Sequence, residues 1–447
     1  MKDDKVYRTG IIDCEDETFI FYLSNYKFQV MTDKIQNYEE RILFTLTPED
    51  GFIHGYTHSG RRVAIYCNDN NMVVGYSTQV DIASYLVADR RDCVIDYFDT
   101  IEFSGGTLNN LFLPQSLQFD PMIGRDTQEV NLKIENDCLS YELNTVDFCC
   151  NVSIFSTISP YWSIMGSGIK NNGNVLRLHF SEKLPVREFY KHYQEIKRLI
   201  SFMTFRNNVG FESIHLYQQE GDKQINKMKV FIREAEVLTD KDVLSNISFE
   251  DLGESIIPLL QIFYSHSEQR PMYSLGFYPD NDAKYGRISN MQVRSVCSAI
   301  ECELRFAPDL HLAEDEKLKE LIANIKTLVK EHRDSSQKLE KKTYDMIFSN
   351  IDHWSMSLSD QIMLLYKANE EEMKKLPPVD IPKLNDKKIQ DFVKYRNSIT
   401  HGANRELTLP LAATAYLLCG LVYCSILKRI NLPTLKIQEL CRDKLLR

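Results

Sequence analysis

"KYRNSITHGANREL" spans Lys394 to Leu407 of a 447-residue chain, and its reading decides how the second half of the molecule is built. Arg396 and His401 stand close together, Asn397 follows the arginine, and Gly402 follows the histidine. On an ideal helix, Ile389, Phe392, Val393, Arg396, Ile399 and Thr400 share one face by the i, i+3, i+4, i+7 rule. The spacing predicts a helix over 386–401 with an arginine inside its apolar stripe. A charge there is costly unless it is paired or opens into a cleft or interface. An ion pair with the 287–306 segment, where Glu301 and Glu303 flank an apolar face, would meet that need. His401 lies about 140° from Arg396 on a straight helix. Glycine just past the last turn is a common helix stop. A helix ending at 401 would let the imidazole lean towards the arginine or towards a second subunit.

The chain after this stretch is apolar. Leu407 to Leu427, "LTLPLAATAYLLCGLVYCSIL", holds no charge. Its length meets the requirement for a membrane span. It is a single run, diluted by Thr, Ser, Gly, Pro and Tyr, and it is expected to be a helix buried on all sides in a bundle or a dimer interface. A tail anchor is the alternative. Upstream, Val293, Val296, Cys297, Ile300 and Leu304 fall on one helical face, as do Leu318, Leu321, Ile322, Ile325, Leu328 and Val329. Further helices are expected around 338–350, 357–372 and 409–430. Arg270 to Gly286, rich in Pro, Gly and Asp, reads as a long loop.

The first half has a different period. "TFIFYL" (Thr18–Leu23), "RVAIYC" (Arg62–Cys67), "VNLKIE" (Val130–Glu135) and "NVLRLHF" (Asn174–Phe180) are short, β-branched or aromatic, and often alternate. One amphipathic helix follows Pro185, then two more strand-like runs, "FESIHLY" and "MKVFI". The expected class is α+β: a β-rich, mostly antiparallel domain over 1–240 with a late helix, then an all-α domain over 245–447 whose core is 287–447.

Composition is that of a globular protein, 43% hydrophobic and 26% charged. The net charge of −10 argues against a surface coated for non-specific nucleic-acid binding, although a local basic site is compatible with it. The start "MKDDKVYRTG" has no apolar core of a secretory signal. Eleven cysteines, an odd number without a CxxC pair, point to a reducing cytoplasm and to thiols used as small core residues.

Several other signals are weak. His54 and His58 lack a third ligand nearby in sequence. "GSGIKNNG" (Gly166–Gly173) lacks the phosphate-loop lysine and is expected to be a hairpin turn. "EHRDSSQKLEKK" (Glu331–Lys342) reads as a charged loop and helix start whose lysines could meet RNA. No cofactor motif and no metal-ligand set emerges. Arg-x4–6-His is itself a short pattern. Arg187 with His192 and Arg305 with His311 match it too, so its context must carry the argument.

In context, "RNSITH" resembles the Arg-Asn-x-x-x-His motif of HEPN-domain ribonucleases, and five or six helices from about 287 to 447 are similar to a HEPN bundle. "FDTIEFSGGTLNNLFLP" (Phe98–Pro114) and the helix and hairpin from Pro185 to Ile232 are similar to the N-terminal domain of ApeA-type anti-phage proteins. The resemblance spans nearly the whole chain, on short motifs. It implies a metal-independent endoribonuclease of abortive-infection type. His401 would be general acid or base, Arg396 would hold the scissile phosphate, and Asn397 would orient the motif or contact that phosphate. Glu301 is a weaker addition. It further implies RNA as substrate, a homodimer through the helical domain and a phage-derived trigger at the N-terminal domain; the reading of Leu407–Leu427 as a buried helix adds that no stable membrane association is expected. The competing expectation is a non-catalytic protein whose helical domain dimerises or recruits a partner.

Overall fold

The computed structural model describes residues 8–14, 17–31, 43–46, 51–67, 72–75, 79–94, 96–112, 138–163, 166–221, 223–233, 246–265, 276–279, 288–306, 316–335, 339–352, 357–376, 383–402 and 405–445. The chain forms two compact units, Met1–Ser265 and His266–Arg447.

The first unit contains β1 (Arg8–Cys14), β2 (Glu17–Ser24), β3 (Lys27–Met31), β4 (Leu43–Leu46), β5 (Phe52–Thr57), β6 (Arg62–Tyr66), β7 (Met72–Gly75), β8 (Gln79–Asp81), β9 (Ser84–Ala88), β10 (Tyr97–Ser104), β11 (Cys138–Asn144), β12 (Cys149–Ser163), β13 (Gly166–Pro185), β14 (Ser213–Glu220) and β15 (Lys223–Ile232). Its helices are α1 (Phe189–Thr204), α2 (Phe249–Leu252) and α3 (Ile256–Tyr264). Among the described residues, thirteen strands form one sheet in the order β11-β12-β13-β10-β14-β15-β9-β6-β5-β1-β2-β3-β8, while β4 and β7 pair separately. Every pairing among the described residues is antiparallel.

Apolar residues two apart on neighbouring strands face one another. Ile101 and Phe103 of β10 lie opposite Leu178 and Leu176 of β13, and all four are buried. At the far end Ile12, Phe21, Phe28, Val63, Ile65 and Val87 make a second cluster. Gly10 and Gly55 let β1 and β5 approach closely: a Cβ on Gly10 would strike the Tyr56 carbonyl, and one on Gly55 the Ile11 carbonyl.

The strand runs at 18–23, 62–67 and 174–180 fall in β2, β6 and β13. The run at 130–135 lies outside the described residues. Two expectations change. Gly166–Gly173 is not a turn but the start of β13, because Gly166, Gly168 and Lys170 pair with Ser163, Tyr161 and Ser159 of β12. The division between units also falls later than 240–245. α3 belongs with the sheet because Phe263 meets Phe202 of α1, Tyr264 meets Phe148, and Gln261 donates to the Asn144 carbonyl.

The second unit is helical among its described residues: α4 (Asn290–Arg305), α5 (Glu316–Asp334), α6 (Lys341–Asp352), α7 (Leu358–Ala368), α8 (Asp386–Thr400), α9 (Leu409–Arg429) and α10 (Thr434–Leu440). α4 starts on a capping box in which Ser289 and Gln292 satisfy each other's backbone N–H groups. Its Val293, Val296, Cys297 and Ile300 are buried, as their spacing predicts. α5 departs from expectation. It packs on α6, and Leu321 and Leu328 of its apolar face stay 53% and 63% exposed.

α9 is long and apolar enough to cross a membrane by length and composition. Most of it is buried against α4, α7, α8 and α10, with Leu417, Leu418, Leu421, Val422 and Leu427 in the core. Burial on several sides accounts for its missing charges.

Candidate active site at the end of α8

Asn385 caps the start of α8, its side chain accepting from the Lys388 N–H at 3.0 Å. Ile389, Phe392, Val393 and Ile399 are buried, and Tyr395 joins them. Thr400 does not: the last helical residue is exposed, and its hydroxyl donates to the Arg396 carbonyl at 2.8 Å. Arg396 shares the arc of the buried residues, yet its side chain keeps 25% of its surface exposed.

Arg396 Nη2 lies 3.5 Å from Glu301 Oε1 on α4. Its Nη1 donates to Asn397 Oδ1 at 3.2 Å. Of the two glutamates expected beside it, Glu301 is the partner, while Glu303 is bound by Arg429. Cys297 lies within the charge field of Arg396 and Glu301. Burial nonetheless pushes its thiol up to about 12, so it stays protonated and inert.

His401 forms the C-terminal cap, its N–H donating to the Asn397 carbonyl at 3.1 Å. Gly402 follows with φ +85°, a left-handed conformation that suits glycine, and the helix stops as the spacing predicts. Asn397 and His401 are exposed. The site therefore presents an imidazole, a carboxamide and a half-exposed guanidinium at one helix end.

α4 supplies supports that a local reading does not reveal. Asn290, Arg294 and Glu301 fall within about 40° of one another around the α4 axis. Each reaches α8. Asn290 Oδ1 is 2.7 Å from the Tyr395 hydroxyl, Arg294 Nη2 donates to the Ile399 carbonyl, and Glu301 holds Arg396. The Tyr395 hydroxyl also lies 3.1 Å from the Arg405 carbonyl, tying down the chain beyond the turn. The i, i+4, i+11 spacing of these polar residues is visible in the sequence. Their partners, about a hundred residues away, are not.

Of the other two Arg–His matches, Arg187 with His192 is not a site of this kind. His192 is buried between Phe148 and Phe180, with Nδ1 3.1 Å from the Tyr264 hydroxyl, and burial pushes its pKa down to about 3. A neutral core histidine results. His311 lies outside the described residues. Among the described residues, no three His, Cys, Asp or Glu side chains converge as a metal centre would need.

Compared with protein-family models, curated proteins and solved structures, the chain has no match.

Proposed function

We propose that the helical unit is an RNA endonuclease that works through Arg396, Asn397 and His401 and draws its nucleophile from the substrate. One observation carries this reading: Arg396 and Asn397 are hydrogen-bonded near the end of α8, His401 caps that end and is exposed, and the arginine is held by a partly exposed carboxylate, not sealed in the core. RNA supplies its own 2′-hydroxyl. A base takes the hydroxyl proton, and the 2′-oxygen bonds to phosphorus. The 5′-oxygen then leaves with a proton, and a 2′,3′-cyclic phosphate remains. An imidazole titrates near neutral pH and suits either proton transfer. The planar guanidinium of Arg396 suits the phosphate and the charge that develops on it. Asn397 holds the guanidinium from its own helix.

A twofold pairing of two such helix ends would bring two arginines and two histidines together. In this reading the enzyme is a homodimer of the cytoplasm acting in anti-phage defence. The β-rich unit senses a phage-derived trigger and restrains the nuclease.

A second reading has its own support. The Arg396–Glu301 contact is also what a structural ion pair would show. The helical unit would then only dimerise or recruit a partner.

RNA cleavage in EDTA by wild type, Arg396→Ala and His401→Ala separates the two. The nuclease reading expects 2′,3′-cyclic phosphate ends, with activity falling about 10²–10⁴-fold without His401 and melting temperature unchanged. If wild type is silent both alone and with phage-infected lysate, the binding reading stands.

A further inference from the structure

We infer that Arg294 binds a substrate phosphate beside the one held by Arg396, so that the site takes an RNA strand with successive phosphates. The inference rests on the nuclease reading above and adds a residue outside the Arg-Asn-x-x-x-His motif.

Arg396 faces Glu301, and part of its positive charge is answered inside the protein. Arg294 differs. It is exposed, and the partner found for it is a neutral one, the Ile399 carbonyl, to which Nη2 donates. Among the described residues no carboxylate lies within ion-pair distance of it. Hydrogen bonding to a last-turn carbonyl uses a group that the helix itself leaves unsatisfied. The partial negative charge of a helix C-terminus favours a cation there but offsets only part of a full charge. Arginine carries five N–H donors in a fixed fork, and most remain for a ligand.

Position completes the case. Ile399 lies between Arg396 and His401 in sequence, on the last turn of α8. The guanidinium of Arg294 is therefore anchored on the same turn as the motif residues. Arg294 and Arg396 carry two positive charges against one negative charge on Glu301, a surplus of one before His401 is protonated. This local surplus stands out in a chain of net charge −10. A phosphodiester backbone, whose anionic groups recur along the strand, matches two guanidiniums attached to one turn.

The test uses the full-length protein and a single-stranded 2′-O-methyl RNA, which lacks the nucleophile and cannot be cut. Affinity is measured against salt. Each phosphate contact in single-stranded nucleic acid contributes a slope of about −0.7 to log K against log salt. For Arg294→Gln the slope should lose about one such unit, with weaker binding at low salt. Gln can still donate to the Ile399 carbonyl, so a purely structural role would leave the slope intact. Arg294→Lys should restore the slope. Unchanged binding by Arg294→Gln, or no rescue by Lys, overturns the inference while the nuclease reading survives. If the wild-type protein does not bind the RNA either alone or with phage-infected lysate, the nuclease reading falls and the inference falls with it.

Discussion

Two arginine–glutamate pairs tie α4 to its neighbours, and they are built differently. Glu303 is 1% exposed at the side chain. Arg429 Nη2 contacts its Oε1 at 2.9 Å, the Ser425 hydroxyl donates to its Oε2 at 2.7 Å, and the Arg429 guanidinium lies over the Phe306 ring at 3.9 Å. Glu301, two positions earlier and on the opposite side of the helix, is 40% exposed and meets Arg396 at 3.5 Å. Both glutamate oxygens are occupied in the first pair, whereas the second is one loose contact open to solvent. The closed pair's carboxylate is saturated and shut away from solvent. An open pair can exchange its carboxylate for a phosphate at small cost. The difference separates a joint in the bundle from a candidate site, although both are Arg–Glu contacts on one helix.

The largest expected effect comes from breaking the closed joint. Arg429→Met leaves Glu303 buried without its counter-charge and should destabilise the helical unit by about 3–5 kcal/mol at mildly alkaline pH. Urea unfolding followed by circular dichroism checks it. Adding Glu303→Leu should recover most of the loss, since an apolar pair of similar volume is often as stable as a buried ion pair. If Arg429→Met alone is silent, the joint is not structural and the contrast with Arg396 disappears.

The next effect is a pH dependence. Burial pushes the Glu303 carboxyl up to about 7 from its ordinary 4.5, and the opposing pull of Arg429 and the Ser425 hydrogen bond is smaller. Burial also lowers the Arg429 pKa, so both partners resist ionisation. The folded form then holds the Glu303 proton more tightly than the unfolded form. That contribution to stability is complete below about 4.5 and is lost as pH rises through about 7. At about 1.4 kcal/mol per pKa unit, it reaches about 3 kcal/mol. Glu303→Gln should flatten the curve of stability against pH in this window. A wild-type curve that matches the variant would contradict the burial account.

The same contrast shows what the sequence carries. The period of apolar residues placed β2, β6, α4 and α8, because burying one face imposes alternation on strands and a 3.6-residue repeat on helices. The stop at His401 and Gly402 was legible because the left-handed cap has a residue preference of its own. What stayed hidden depends on contacts between distant segments. α3 joins the β-rich unit through Tyr264 and Phe263, which any helix of its composition could direct elsewhere. Glu301 and Glu303 were equivalent partners for Arg396 until α9 brought Arg429 to Glu303. Nothing in the sequence singles out Arg294, whose guanidinium meets the end of α8 only in the fold.

The smallest effect is the sharpest test of the open pair. A double-mutant cycle of Arg396→Gln and Glu301→Gln should give a coupling of only about 0.2–1 kcal/mol in stability, the range of solvent-exposed pairs. The cycle on the closed joint, Arg429→Met with Glu303→Leu, should give a coupling several times larger. In RNA binding the two sites should change order. Glu301→Gln frees Arg396 and should tighten binding of the uncleavable RNA at low salt, because the phosphate no longer competes with a carboxylate. Glu303→Gln removes a negative charge from the same helix but leaves Arg396 paired, and it should leave that binding unchanged. If Glu301→Gln also leaves binding unchanged and the Arg396–Glu301 coupling exceeds about 2 kcal/mol, the pair is a second closed joint. Arg396 would then be a structural arginine, and the helical unit a binding module.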